Sequence, residues 1–188
     1  MLTNKVFIKK TRLGGVMKIV REIYLRDDIS CGSEGCSRCD ELMEKMPLEE
    51  NPVTSSKLIQ GPHYIVPDTN VVLHQIDVLE DSSIQNVIIL QTVLEEIRHR
   101  SAPVYKRVKD MLSNSRKHFY MFCNEFNMHT YIERKPGESA NDRNDRAVRK
   151  AVAWYVDHLK ESGIEVVLLT NDMENKRLAL QEQLKAYT

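Results

Sequence analysis

Two apolar runs in this chain end in carboxylates. Tyr64-Ile65-Val66-Pro67 leads into Asp68-Thr69-Asn70, and Val166-Val167-Leu168-Leu169 leads into Thr170-Asn171-Asp172. An aspartate that closes a buried strand stands at the carboxyl edge of a parallel sheet, where α/β proteins bind their ligands. Two such strands predict one shared acidic site. Two helix starts lie between them. The helix opening at Gln91 carries Glu95 and Glu96, and a longer one opens near Asn141 with Asp142 and Asp145. Successive helical residues point about 100° apart, so only one of Glu95 and Glu96 can face the sheet edge. Asp142 fits an N-cap, while Asp145 falls in the first turn and can project toward the same edge. The helix dipole favours such first-turn carboxylates whatever else they do.

Four like charges in one pocket raise one another's pKa values unless cations sit between them. An all-oxygen set favours hard ions, Mg²⁺ or Mn²⁺, and a pair of them about 4 Å apart binds and hydrolyses phosphate esters. The sequence has no Ser/His/Asp arrangement, phosphate-binding Walker loop or dinucleotide glycine pattern. A dehalogenase-like phosphatase would need a second aspartate two residues after the first. Asn70 stands there instead.

A second cluster is Cys31-x4-Cys36-x2-Cys39, three thiols within nine residues, with Gly32 and Gly35 inside the loop. Thiols crowded in this way favour zinc, at a zinc-to-sulfur distance of about 2.3 Å. Three ligands leave a structural site open, so a fourth comes from His63, His74, His99, His118, His129 or His158. Cys123, in an apolar run, is expected to be a small core residue.

These groups need elements to hold them. Residues 1–30 read as an arm, with Val6-Phe7-Ile8 and the run from Val16 to Leu25 forming a hairpin across Gly14-Gly15, although Val16, Ile19, Val20 and Ile23 also fit a helical stripe. The cysteine loop follows at 31–39. Residues 40–62, rich in Glu, Pro and Ser, read as a linker, and 63–188 as the main domain. Strands are expected at 64–67, 87–90, 119–123 and 164–172. Helices are expected over 71–79, from 91, from 141 to 162 and over 175–187. Lys+Arg and Asp+Glu both total 27, so no global field attracts a polyanion. The basic stretch from Arg98 to Lys109 reads as a solvated helical face. No run approaches the ~20 apolar residues a membrane helix needs, and no secretory signal follows Met1, so an intracellular setting is expected.

Asp68-Thr69-Asn70 after a strand, an acid on the second helix, Asn144-Asp145 at a helix start and Thr170-Asn171-Asp172 after the last strand together resemble a PIN (PilT N-terminal) nuclease domain. The resemblance spans about 63–188 and implies a three-layer α/β/α fold around a parallel sheet. It further implies a Mn²⁺-dependent endonuclease for single-stranded RNA using Asp68, Glu96, Asp145 and Asp172, with Asn70 and Thr170 in support. Residues 1–62, including Tyr24-Leu25-Arg26-Asp27-Asp28-Ile29 and the cysteines, resemble the N-terminal part of the ribonuclease-II-like subunits of the eukaryotic RNA exosome. That second resemblance implies docking on the exosome core ring, nuclear and cytoplasmic location, and His158 as the fourth zinc ligand. Thirteen residues of helix separate Asp145 from His158, about 20 Å, so the zinc is expected to be structural. Oligonucleotide-binding and exoribonuclease domains are expected to follow in the whole protein. The competing expectation is a docking module whose acidic pocket is vestigial.

Overall fold

The computed structural model describes residues 2–12, 14–39, 46–52 and 59–188. Strands β1 (Leu2–Lys10) and β2 (Val16–Tyr24) pair antiparallel in unbroken register from Leu2↔Tyr24 to Lys10↔Val16. Gly14, at φ 79°, supplies the left-handed residue of the turn. Ile8, Val16, Val20 and Tyr24, which share one face of the hairpin by the register, are exposed.

The domain is built on five parallel strands in the order β5-β4-β3-β6-β7: β3 (His63–Pro67), β4 (Val87–Leu90), β5 (Phe119–Phe122), β6 (Glu165–Leu169) and β7 (Lys185–Tyr187). The chain winds outward from β3 through β4 to β5, then returns to the other side of β3 for β6. That reversal is a topological switch point, and right-handed crossovers place the helices before and after it on opposite faces. Before it come α1 (Thr69–His74), α2 (Ile76–Glu80), α3 (Gln91–Arg100) and α4 (Ala102–Ser113). After it come α5 (Ala140–His158) and α6 (Met173–Gln181). Every residue of β4 is buried, as a strand covered on both faces requires. Val66, Phe122, Val152, Tyr155 and Leu168 complete the sealed core.

Several expectations need correction. The helix expected over 71–79 is two short ones, broken at Gln75. The terminal helix expected over 175–187 stops at Gln181; Gln183 turns left-handed at φ 61°, and the last residues become an edge strand against β6. Helix α5 is capped by Ser139, whose hydroxyl accepts from Asp142 N, so Asp142 lies in the first turn and does not cap. Strand β5 ends at Phe122, leaving Cys123 half-buried beyond it. Of the expected linker, residues 40–45 and 53–58 lie outside the described ones. Its middle packs: Leu48 is fully buried and exchanges backbone hydrogen bonds with Gly32 and Glu34 at 2.9 Å.

Candidate active site and candidate metal centre

Asp68 follows β3 and Asp172 follows β6, so the two flank the switch point at the carboxyl edge. Each is also a helix cap. Asp68 Oδ1 accepts from Val71 N at 2.7 Å, and Asp172 Oδ1 accepts from Glu174 N and Asn175 N at 2.8 and 2.9 Å. One hydroxyl joins them: Thr170 Oγ1 donates to Asp68 Oδ2 and accepts from the backbone N–H of Asp172 at 3.1 Å. Burial pushes the Asp68 carboxyl up, and the charge of Asp172 adds to that, while Thr170 and the amides of Val71 and Asn70 pull it back.

Glu96 reaches the same edge from α3. Its Oε2 accepts from Thr69 Oγ1 at 3.0 Å and from Asn144 Nδ2 at 3.2 Å, which ties α3 to the starts of α1 and α5. Glu95 is exposed and accepts from Gln91 Nε2. Asp145 sits one residue beyond Asn144 and accepts from Asn141 Nδ2 through Oδ2 at 3.0 Å. Its carboxyl is pushed up to about 6, first by burial, then by the charges of Asp172 and Asp68, with Glu96 adding less. Arg149 opposes this from below, its guanidinium held by Asn175 Oδ1 and Glu182. The structure therefore brings Asp68, Glu96, Asp145 and Asp172 around one edge. Asp145 and Asp172 also line an open cavity of about 350 Å³ with Asn141, Arg146, Arg149 and Asn175.

Helix α3 is held in place by a buried network. Asn124 Oδ1 accepts from Thr92 N, Thr92 Oγ1 donates to Glu125, and Glu125 pairs with Arg143 of α5. Sequence reasoning missed Thr69, Asn144 and Arg100 as partners of Glu96. It assigned support to Asn70, whose side chain instead accepts from Arg100 Nη1 at 3.5 Å; only its backbone N–H touches Asp68. The contacts of Thr69 and Asn144 span 27 and 48 residues, a distance no local pattern reports.

The donor set fits hard divalent ions: oxygens alone, like-charged, and destabilised without a counter-cation. Asp172 Oδ2 and Asp145 Oδ1 have no protein donor among the described residues. These carboxylates are more widely spread than a single-ion clasp. Two ions about 4 Å apart would be served by such a spread.

The cysteine loop meets the far end of α5. Ligand atoms of Cys31, Cys36, Cys39 and His158 all lie within 4.8 Å of one another, the one such group among the described residues. His158 Nε2 is 3.1 Å from Cys36 Sγ and 3.3 Å from Cys39 Sγ. Tetrahedral zinc with about 2.3 Å bonds to sulfur separates its sulfurs by about 3.8 Å, so three thiolates and an imidazole in this arrangement fit Zn²⁺. The pairing of Cys31 with Cys39 holds the Cys39 thiol low, with His158 adding to that, and pushes the buried Cys31 thiol up. Around it, Tyr155 Oη donates to Cys31 O at 2.8 Å, and Trp154 stacks on the His158 ring at 4.3 Å. Gly32, at φ 77°, lies against Tyr120 where a Cβ would come within 2.6 Å of the ring. This centre and Asp145 occupy opposite ends of one helix.

A family model described as PIN domain matches residues 65–188. The chain is 56% identical over its whole length to "Exosome complex exonuclease RRP44" of Homo sapiens, and 47% identical to "Exosome complex exonuclease RRP44 homolog A" of Arabidopsis thaliana. It spans about a fifth of each, 20% and 19%. Among solved structures it is similar to the T. brucei RRP44 PIN domain, with TM-score 0.73 and 30% identity, covering 87% of this chain and 88% of that one. By the family match and the likeness of its fold, the chain belongs to the PIN domain family, in the group that includes the RRP44 PIN domains.

Proposed function

We propose that this chain is an endonuclease for single-stranded RNA that hydrolyses phosphodiester bonds with Mn²⁺ or Mg²⁺, and that its arm and cysteine loop seat it on the exosome core ring. The observation that carries the nuclease reading is Asp145. It meets Asp68, Glu96 and Asp172 at a sheet switch point, its carboxyl driven up to about 6 first by burial and then by their charges, and such a convergence of carboxylates is a site built for cations. The relatives' names, which place those proteins in the exosome complex, support the docking reading.

Bound divalent ions would supply charge neutralisation at the scissile phosphate and a more acidic water. Asp68, Glu96 and Asp172 would hold them. The rest falls to the chain. Thr170 fixes the rotamer of Asp68, the α6 amides fix Asp172, and Thr69 with Asn144 fixes Glu96, so the site needs little rearrangement. Asp145, through its open Oδ1, orients the attacking water and accepts its proton as the water oxygen bonds to phosphorus. The P–O bond breaks, and the departing ribose oxygen takes a proton from solvent. At the other end of α5, Cys31, Cys36, Cys39 and His158 would hold Zn²⁺ as a structural pin for the arm.

The test is nicking of a circular single-stranded RNA in Mn²⁺. Asp68→Asn with Asp172→Asn should abolish it; cleavage at the unmodified rate by the double variant would sink the reading. A vestigial docking module would show no nicking in any divalent ion, yet would still bind the core ring in a manner dependent on Cys31, Cys36 and Cys39.

A further inference from the structure

We propose that Arg100 is a cation placeholder at the acidic site, occupying the open oxygen of Glu96 until a divalent ion displaces it, and then binding a phosphate of the RNA. This inference rests on the nuclease reading above and assigns a residue that reading leaves unused. Arg100 is the last residue of α3, one turn beyond Glu96. Its Nη1 donates to Glu96 Oε1 at 3.1 Å and to Asn70 Oδ1 at 3.5 Å.

The two oxygens of Glu96 are treated differently. Oε2 is committed to Thr69 and Asn144, which belong to the elements carrying Asp68 and Asp145. Oε1 accepts from Arg100 alone and is the oxygen left for an ion. Among the described residues, no other cationic side chain is hydrogen-bonded to any of the four carboxylates. Of the cations lining the cavity beside Asp145, Arg149 is spent on Glu182 and Asn175, and Arg146 on Glu138. A guanidinium carries five N–H donors, of which Arg100 uses the two on Nη1 in these contacts, leaving Nε and Nη2 for an acceptor at the rim. The side chain is 46% exposed, against 19% for Glu96, so the pair spans from the buried centre to solvent. Exposed pairs four residues apart on a helix are weak, and that weakness is what lets an ion exchange for the arginine. Once displaced, a planar fork beside a neutralised acidic site matches the non-bridging oxygens of a phosphodiester, which it can hold in bidentate fashion. The anionic ligand most directly within its reach is the RNA backbone flanking the bond to be cut.

The experiment compares Arg100→Gln and Arg100→Lys with the unmodified 188-residue chain in two binding measurements. Mn²⁺ affinity is read without RNA, from the electron paramagnetic resonance signal of the free ion. Arg100→Gln should bind Mn²⁺ about two- to threefold more tightly, since the competing cation is gone. Affinity for a fluorescein-labelled oligouridine is read by anisotropy across a salt series, in Ca²⁺ with the oligonucleotide checked intact, and in EDTA. In Ca²⁺ the slope of log affinity against log salt should flatten by about 0.7 in Arg100→Gln, the loss of one phosphate contact on a single strand. Arg100→Lys should restore most of it. In EDTA the three proteins should share one slope, because the arginine is then engaged by Glu96. Mn²⁺ affinity unchanged or weakened in Arg100→Gln overturns the proposal, as does a slope unaffected in Ca²⁺ or equally reduced in EDTA. A chain that binds Mn²⁺ and nicks circular RNA while failing these tests leaves the nuclease reading standing and removes only the role of Arg100; unmodified chain that binds no Mn²⁺ removes both.

Discussion

The acidic site should cost the empty protein stability, and Asp145→Asn measures how much. The carboxyl rises from an ordinary 3.8 to about 6 in the folded chain. That difference is worth about 3 kcal/mol at most, and partial access of water to the half-buried side chain reduces it. The sign follows from proton uptake. Between pH 4 and 6 the folded chain binds a proton that the unfolded chain has already lost, so this group's contribution to stability falls as pH rises through that window. Above the folded pKa the whole penalty is present; below 3.8 both states are protonated and it vanishes. Asparagine keeps an oxygen for Asn141 and carries no charge. In EDTA at pH 7.5, Asp145→Asn should therefore be about 1–3 kcal/mol more stable in urea, or roughly 2–10 °C higher in Tm for a chain of this size. The gap should close as pH drops toward 4. Saturating Mn²⁺ should narrow the gap, because cations among the carboxylates remove the repulsion that penalises a charged Asp145. A variant no more stable than the unmodified chain in EDTA at pH 7.5, or a gap indifferent to pH, would refute the reasoning.

Other outcomes follow from the same geometry. Arg143 and Glu125 are a sealed pair, with side chains 9% and 11% exposed, so Arg143→Met or Glu125→Gln should cost about 3–5 kcal/mol in urea unfolding by leaving one buried group uncompensated. Gly32→Ala combines a left-handed φ with a Cβ 2.6 Å from the Tyr120 ring, and should lose at least about 1–3 kcal/mol together with zinc occupancy, read by calorimetry and metal analysis. The purified chain should hold one equivalent of zinc by mass spectrometry, and Cys36→Ser should lose it along with several degrees of Tm. Provided the variant is assayed well below its Tm, its Mn²⁺-dependent nicking should persist, since the two centres are about 20 Å apart along α5.

What could be read from the sequence was whatever repeats locally. Alternation around Gly14-Gly15 is enough to specify a hairpin, and an apolar run stopped by Asp68 or Asp172 is enough to specify a strand end at the sheet edge. Where the sequence misled, a distant partner had intervened. Lys185-Ala186-Tyr187 has the composition of a helix end, but β6 offers an open edge, and pairing with Val167, Leu168 and Leu169 wins over local propensity. Leu48 looks like linker between Pro47 and Glu49; it is buried because the cysteine loop folds back upon it through Gly32. Asn70 and Thr69 are adjacent and chemically alike, so the pattern could not tell which would reach a carboxylate. Only the packing of α3 against α1 and α5 decides for Thr69.

The placement of both centres on α5 has a mechanical reason. At its first turns this helix presents Asp145 to three other carboxylates, whose charges add to burial in raising its pKa. That end is held by Arg149, by the hydrogen bonds of Asn141 and Asn144, and by the Ser139 cap. The opposite end is anchored: Tyr155 and Leu159 are buried, Tyr155 bonds to the cysteine loop, and His158 completes its ligand set. A rigid helix fixed at one end and by the Arg143–Glu125 pair near the other has little freedom to rotate Asp145 out of the site. The Arg143–Glu125 pair and the Ser139 cap thus keep Asp145 at the acidic centre whether or not the cysteine loop is loaded, while the charges that destabilise the empty site are the ones that would bind its ions.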